Sequence, residues 1–229
     1  MLLYIYYLFI KIINTVFGEL NMSLEIIVGV RNVNDSYHGV ELAVINTDNN
    51  SKGLQLGLAN LAENYSGLQT GLFNITQSSY YGAQLGFLNR AQELKGTQVG
   101  FLNVSDKMKG FQAGVINTGE DRHQRHGVQM GVINYSSYHS GFQAGLINST
   151  RELQGVQGGA INYAKSSKGV QSGLVNIVEK DLQGVQVGLV CYAKEGNFFQ
   201  LGLLTIRGSG PWYSRISPLI GFSKEKEET

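Results

Sequence analysis

The sequence predicts an all-β fold in which coils of about 14 residues stack in parallel as a β-solenoid. The first observation is a tandem repeat: Gly141–Asn148 reads GFQAGLIN, and the segments that begin at Gly155 and Gly169 follow the same pattern. The second is composition, because 30 glycines and only 2 prolines among 229 residues disfavour both helices and collagen. Thirteen units of nearly constant length indicate that each unit packs on its neighbours.

The repeat array spans residues 25–207, and we number each unit from position one to position fourteen. Position three is glutamine in eleven units, position five glycine in twelve and position eight asparagine in eleven. Positions two, four and six are mostly apolar and share one strand face, whereas positions three, five and seven share the other. The units begin at Glu25, Gly39, Gly53, Gly67, Gly82, Gly96, Gly110, Gly127, Gly141, Gly155, Gly169, Gly184 and Phe198.

Within a unit, positions two to seven predict a strand, and positions nine to fourteen predict a second, shorter extended segment or a loop. Glycine at position five lets the walls of a narrow coil approach each other. Asparagine at position eight predicts a ladder in which Asn148 lies between Asn134 and Asn162, and asparagine also tolerates left-handed backbone at a tight turn. The apolar residue at position seven is expected inside the coil.

The alternative fold is an antiparallel β-barrel of successive hairpins. It would turn positions two, four and six towards lipid, with a girdle of Tyr135, Tyr163 and Tyr192 at position nine. Two features favour the solenoid. An apolar position seven is unsuited to a wet lumen, and units of nearly equal length suit translational stacking better than the unequal turns of a barrel.

The ends of the chain depart from the repeat. Residues 1–24 form an apolar N-terminal segment, which we interpret as a signal or anchor, as a cap on the array, or as sequence upstream of a start at Met22. In the first case, residues 1–17 provide membrane association. Residues 208–229 predict a C-terminal cap and a charged tail, because a stacked array needs its exposed edges covered.

The sequence predicts no catalytic, cofactor-binding or metal site. His123 and His126, beside two carboxylates in the one long insertion, suit zinc, but Arg122 and Arg125 oppose a cation there. Cys191 is the single cysteine and is expected to be a semi-buried structural thiol. The GxQxG pattern lacks the Lys-Ser/Thr ending of a phosphate loop. Asn-x-Ser/Thr sequons, expected as a by-product of the repeat, occur at Asn64, Asn74, Asn103, Asn134 and Asn148.

Units of the form GVQxGLINYA at this spacing resemble a family of bacterial repeat-containing surface proteins and lipoproteins of unknown function, known from spirochaetes. The resemblance covers about residues 25–222, including the ending Leu201–Leu204 and Ser217–Phe222. It implies a location at the cell surface and supplies no catalytic residues.

A non-enzymatic structural or binding module is the function that these features predict. A net charge of +1 gives no electrostatic basis for nucleic-acid binding. The expected partner is an unidentified protein or a surface glycan, and an apolar strand face that is not all internal supports self-association. The expected location is the cell surface, the outer membrane or outside the cell, or the cytoplasm if translation starts at Met22. The alternative function is a membrane β-barrel that acts as a pore or anchor.

Overall fold

The computed structural model describes residues 25–119, 125–209 and 215–223. Five β-strands follow in chain order: β1 (Glu25–Leu56), β2 (Ala59–Gly119), β3 (Arg125–Glu195), β4 (Phe198–Arg207) and β5 (Ile216–Ser223). The first three strands are far longer than ordinary strands because each winds through several consecutive coils without interruption. The apolar segment 1–24 and the charged tail 224–229 lie outside the described residues.

Equivalent positions of consecutive coils pair in parallel. The chain forms two compact units, Met1–Gly100 and Phe101–Thr229. In the N-terminal unit Gly53 pairs with Gly67, and in the C-terminal unit Gln186 pairs with Gln200, so each residue lies beside its counterpart one repeat away. The predicted β-solenoid is therefore confirmed. The antiparallel alternative is wrong, because successive hairpins would have placed unlike positions beside each other.

Glycine at position one has a backbone conformation that residues with a side chain disfavour. Gly155 has a φ of 141°, which L side chains rarely adopt, and a Cβ there would overlap the carbonyl oxygen of Gly141 in the preceding coil. In the described part of the chain, every position-one glycine from Gly39 to Gly184 has such a φ. The solenoid has about 11 turns, fewer than the thirteen predicted units, whose first and last members begin with Glu25 and Phe198 instead of glycine.

The interior of the coil is lined by polar side chains. All glutamines at position three, from Gln55 to Gln200, are fully buried, and the asparagines at position eight from Asn46 to Asn176 are fully buried as well. The expectation that position seven is internal is wrong, because Ile147 is 40% exposed and Ile161 is similar. Positions six and seven both face outward since the chain turns a corner between the inward-facing glycine and asparagine.

Positions ten and thirteen, together with Phe198 at position one of the last unit, supply the apolar remainder of the core. In the N-terminal unit, the rings of Tyr65 and Tyr80 stack with centroids 5.9 Å apart. In the C-terminal unit, the buried cluster consists of Leu153, Ala164, Val178, Leu182, Ala193 and Phe198. The second half of each repeat is therefore a strand with its own inward-facing residues. The sequence pattern predicted either a short extended segment or a loop there.

The C-terminal edge of the stack is paired with an antiparallel strand. β5 runs along β4, with Phe199 opposite Phe222 and Thr205 opposite Ser217. The hydroxyl of Thr205 donates a hydrogen bond to the Ser217 carbonyl oxygen at 2.8 Å. This strand lies in the segment for which the sequence predicts a cap, and it occupies backbone groups that the last parallel strand would otherwise expose.

Candidate binding surface

The asparagine side chains at position eight form a ladder along the stack. Asn134 donates from Nδ2 to Asn148 Oδ1 at 2.8 Å, and Asn148 donates to Asn162 in the same way. The same Nδ2 of Asn148 also donates to the Gly158 carbonyl oxygen at 3.0 Å. The predicted ladder is confirmed. The described asparagines do not use the left-handed backbone that this residue type tolerates, because Leu219 alone has a positive φ among the non-glycine residues described.

The glutamines at position three form a second ladder, which donates in the opposite direction along the chain. Gln157 Nε2 donates to Gln143 Oε1 at 2.7 Å and to Thr150 Oγ1 at 3.0 Å. The glutamine and asparagine amides are thus engaged in holding coils together. They are buried and, apart from Gln200 Oε1, which has no hydrogen-bond partner among the described residues, they are satisfied within the stack, so the GxQxG pattern builds the interior.

At the N-terminal end of its unit, the glutamine ladder ends on carboxylates. Gln55 Nε2 donates to Glu41 Oε2 at 2.9 Å and to Asp48. Burial, together with the nearby charge of Glu41, raises the pKa of Asp48 to about 7. Asn34 Nδ2 also donates to Glu41 Oε1 at 2.7 Å, and both acids are buried, so the pair belongs to the interior of the coil.

Of the two histidines that the sequence offered for metal binding, one lies within the described residues. His123 lies outside the described residues, while His126 is exposed and has its ring 6.1 Å from that of Tyr138. Among residues 25–119, 125–209 and 215–223, no three His, Cys, Asp or Glu side chains form a group that suits a metal ion.

Cys191 and four of the five sequon asparagines are also interior residues. The Cys191 thiol is fully buried, accepts a hydrogen bond from Asn176 Nδ2 at 3.7 Å, and has a pKa that burial raises. Four of the five sequon asparagines are fully buried position-eight residues: Asn74, Asn103, Asn134 and Asn148. Their amides are occupied by the ladder, so glycosylation of these four is incompatible with the folded stack.

The sequence reasoning missed two buried basic side chains in the C-terminal unit. Arg125 is fully buried, donates to Gln112 Oε1 at 3.0 Å and to the Ser105 carbonyl oxygen, and fits because Gly119 has no side chain. His139 is fully buried, and burial, with the Arg125 charge, lowers its pKa to about 4. Both residues take the place of position thirteen, which is usually apolar or small and gave no signal of charge.

An apolar surface is the main feature of the exterior of the C-terminal unit. We call it the apolar strip and define it as the outward side chains at positions two, four, six and seven. Its exposed members include Phe101, Met130, Val132, Ile133, Phe142, Leu146, Ile147, Val156, Ile161, Val170, Leu174, Val187, Leu189, Phe199, Leu201, Leu203 and Leu204. The N-terminal unit carries the same pattern, with Val44, Leu58, Leu72 and Phe87 exposed at position six.

The apolar strip is convex, and position six is its most exposed apolar position in the coils that begin at Gly141, Gly169, Gly184 and Phe198. Leu146 at position six is 58% exposed, whereas Phe142 at position two is 37% exposed. Gly131, at position five, faces the interior, and a Cβ there would lie 2.7 Å from Asn117 Nδ2. The backbone therefore bends around the two consecutive outward residues at positions six and seven, which form the edge of the coil.

The charged side chains lie on the other side of the repeat. A polar depression of about 290 Å³ in the C-terminal unit is lined by Ser137, Arg151, Glu152, Lys165, Ser166 and Lys180. In the N-terminal unit, a depression of about 400 Å³ is lined by side chains that include His38, Asn50, Lys52, Asn64 and Tyr81. Both depressions lie at positions eleven to fourteen or the equivalent.

One signal in the sequence distinguishes inside from outside. Position three is glutamine in every unit from Gly53 onward, because each amide must match its neighbour. Position four varies from Gly158 to Met130 in size, and a Cβ at Gly158 would meet nothing within 4 Å. A position that keeps the same residue type from unit to unit is therefore packed in the interior, whereas a position whose residue type varies lies at the surface.

The described parts of the chain contain no helix with the length and apolar character needed to cross a membrane. No family model, curated protein or solved structure matches this chain. Its resemblance to the bacterial surface repeat proteins therefore stays a prediction based on the repeat motif.

Proposed function

We propose that this chain is a non-enzymatic repeat protein that serves as a structural or binding module at the cell surface, and that the apolar strip is its contact surface. One observation carries the proposal. From the unit at Gly53 to the unit at Phe198, positions one to seven contain no charged residue, yet many of their outward side chains are exposed. Large exposed apolar surfaces are typical of sites that bind another molecule.

The interior supports the same reading. Glutamine and asparagine hold the coils together from within, so the apolar residues are not needed to fill the core and remain on the surface. An apolar exterior lowers the solubility of a protein, because contact between these side chains and water is unfavourable. A binding surface gives that exterior a role.

A dye-binding measurement tests the contact surface. The variant L146D/L174D/L189D places three carboxylates on the apolar strip, and K165E/K168E/K180E is the matched control on the charged side. We expect the native chain and the control to enhance anilinonaphthalene sulfonate fluorescence, and we expect the strip variant to lose most of this enhancement while circular dichroism stays unchanged. Equal fluorescence from the native chain and the strip variant would contradict the proposal.

The location is tested separately in cells that produce the chain. A membrane-impermeant amine reagent should label exposed lysines such as Lys165 and Lys180 on intact cells. Labelling that occurs only after lysis would remove the cell surface from the proposal and leave the binding module intact.

A further inference from the structure

The apolar strip and the charged residues of the C-terminal unit are separated across each coil. In the coil that begins at Gly169, Val170 and Leu174 are exposed at positions two and six, whereas Glu179 and Lys180 are exposed at positions eleven and twelve. The same order recurs in the neighbouring coils, because every unit repeats the same positions. Each coil is thus amphipathic in cross-section, with one apolar edge and one charged side.

The shape of the apolar strip favours a fluid partner. Leu174 is 55% exposed at the convex edge, while Val170 on the flank is 37% exposed. A second rigid copy would meet such an edge along a narrow line and would leave the flanks in water. Acyl chains can surround the edge on both sides, and burial of apolar area in a bilayer is favourable in proportion to that area.

Tyrosines lie between the apolar edge and the charged side. Tyr163, at position nine, is half-buried, and its hydroxyl donates a hydrogen bond to Glu179 Oε2. Tyr135 and Tyr192 occupy the same position in their own coils and are half-buried as well. Tyrosine rings with an apolar body and a hydrated hydroxyl are favoured where lipid tails meet water.

We propose that the apolar strip of the C-terminal unit inserts into the surface of a lipid bilayer, with position six deepest and the position-nine tyrosines at headgroup level. The inference rests on the proposed function and names the partner of its contact surface. The charged side carries both signs, for example Arg151 beside Glu152, so binding requires no anionic lipid. Insertion reaches roughly 5–10 Å, the depth of an interfacial amphipathic element.

The test uses an environment-sensitive fluorophore at two sites of one coil. Cys191 is buried and is replaced by asparagine, the residue of the preceding coils at position eight, so that each variant carries one cysteine. The variants L174C and K180C are labelled and mixed with phosphatidylcholine vesicles. We expect a blue shift and quenching by acyl-chain nitroxides at L174C, and no change at K180C. In the unlabelled L146D/L174D/L189D variant, the vesicle-bound fraction should fall at least about tenfold, since each leucine contributes apolar area.

Three outcomes would overturn the lipid inference. They are no blue shift at L174C with vesicles, equal shifts at both sites, or a shift that depends on protein concentration without lipid. The last would identify a second copy of the chain as the partner. In each case the contact surface would still be supported if the native chain enhanced dye fluorescence and the L146D/L174D/L189D variant did not. Failure of the lipid inference is therefore distinguishable from failure of the proposed function.

Discussion

At the scale of single residues, neighbours in sequence have opposite roles. Asn148 is fully buried and joins three coils, whereas the preceding Ile147 is 40% exposed on the apolar strip. Substituting each with aspartate therefore separates interior from surface with one chemical change.

We expect Asn148→Asp to destabilise the fold by about 1–3 kcal/mol, because it removes the donor to Asn162 Oδ1 and to the Gly158 carbonyl oxygen and buries a charge. Ile147→Asp should change stability by about 0.5 kcal/mol or less, as for other exposed positions. Urea unfolding of both variants measures the difference. Similar losses for the two would show that the asparagine ladder contributes no more than the surface does.

His139 gives the C-terminal unit a dependence on pH. Its pKa is about 4 in the folded chain and about 6.5 when unfolded, so the unfolded state binds the proton more strongly. The contribution of neutral His139 to the free energy of unfolding is therefore complete above about pH 6.5. It is lost as the pH falls through about 4, and the loss reaches about 3 kcal/mol. We expect His139→Leu, which reproduces the Leu153 of the next coil, to reduce this loss.

Unfolding free energies at several values of pH between 7 and 4 provide the measurement. His126→Gln is the matched control, because it replaces an exposed histidine of the same unit. The control should keep the pH dependence of the native chain. A slope that His139→Leu leaves unchanged would mean that other groups, such as surface carboxylates, cause the loss of stability in acid.

At the scale of elements, the coil is the unit that can be removed. Deletion of Gly141–Gln154 takes out one repeat and places Asn134 beside Asn162 and Gln129 beside Gln157. Because the ladders re-form, we expect the shortened chain to fold. Its free energy of unfolding should fall by about 2 kcal/mol, which lowers Tm by roughly 4–8 °C. Thermal unfolding followed by circular dichroism gives the answer.

Deletion of half a coil is the control for the whole-coil deletion. Removing residues 141–147 leaves seven residues of one repeat, which cannot complete a turn or bring Asn148 under Asn134. This variant should unfold at a far lower temperature. If the half-coil deletion were as stable as the whole-coil deletion, the stack would not depend on the register of its ladders.

At the scale of the whole molecule, the repeat predicted the stacked architecture but not which face of each strand lies inside. The period, the parallel stacking and the asparagine ladder all followed from the sequence, because identical residues at fixed spacing can satisfy one another. The alternation along a strand defines two faces and does not say which one is internal. The usual assumption that apolar residues are inside led to the wrong position for Ile147.

The physical reason lies in the narrowness of the coil. With about fourteen residues per turn, the opposing walls are so close that a glutamine amide spans the interior and reaches Thr150 or Ser136 on the other wall. Hydrogen bonds between coils then replace apolar packing, so the valines and leucines are free to face outward. The buried Arg125 was unpredictable because it depends on the single space left by Gly119.

The two ladders also differ in polarity. Along the chain, the asparagine amides present their donors towards the C-terminus, as from Asn148 to Asn162, whereas the glutamine amides present theirs towards the N-terminus, as from Gln157 to Gln143. Each coil therefore adds two amide dipoles that point in opposite directions and largely cancel. An α-helix accumulates a macrodipole because all its peptide dipoles align. In this chain the field of the side-chain rows does not grow with the number of coils, and only their end groups, such as the carboxylates of Glu41 and Asp48 that receive the Gln55 donor, need compensation.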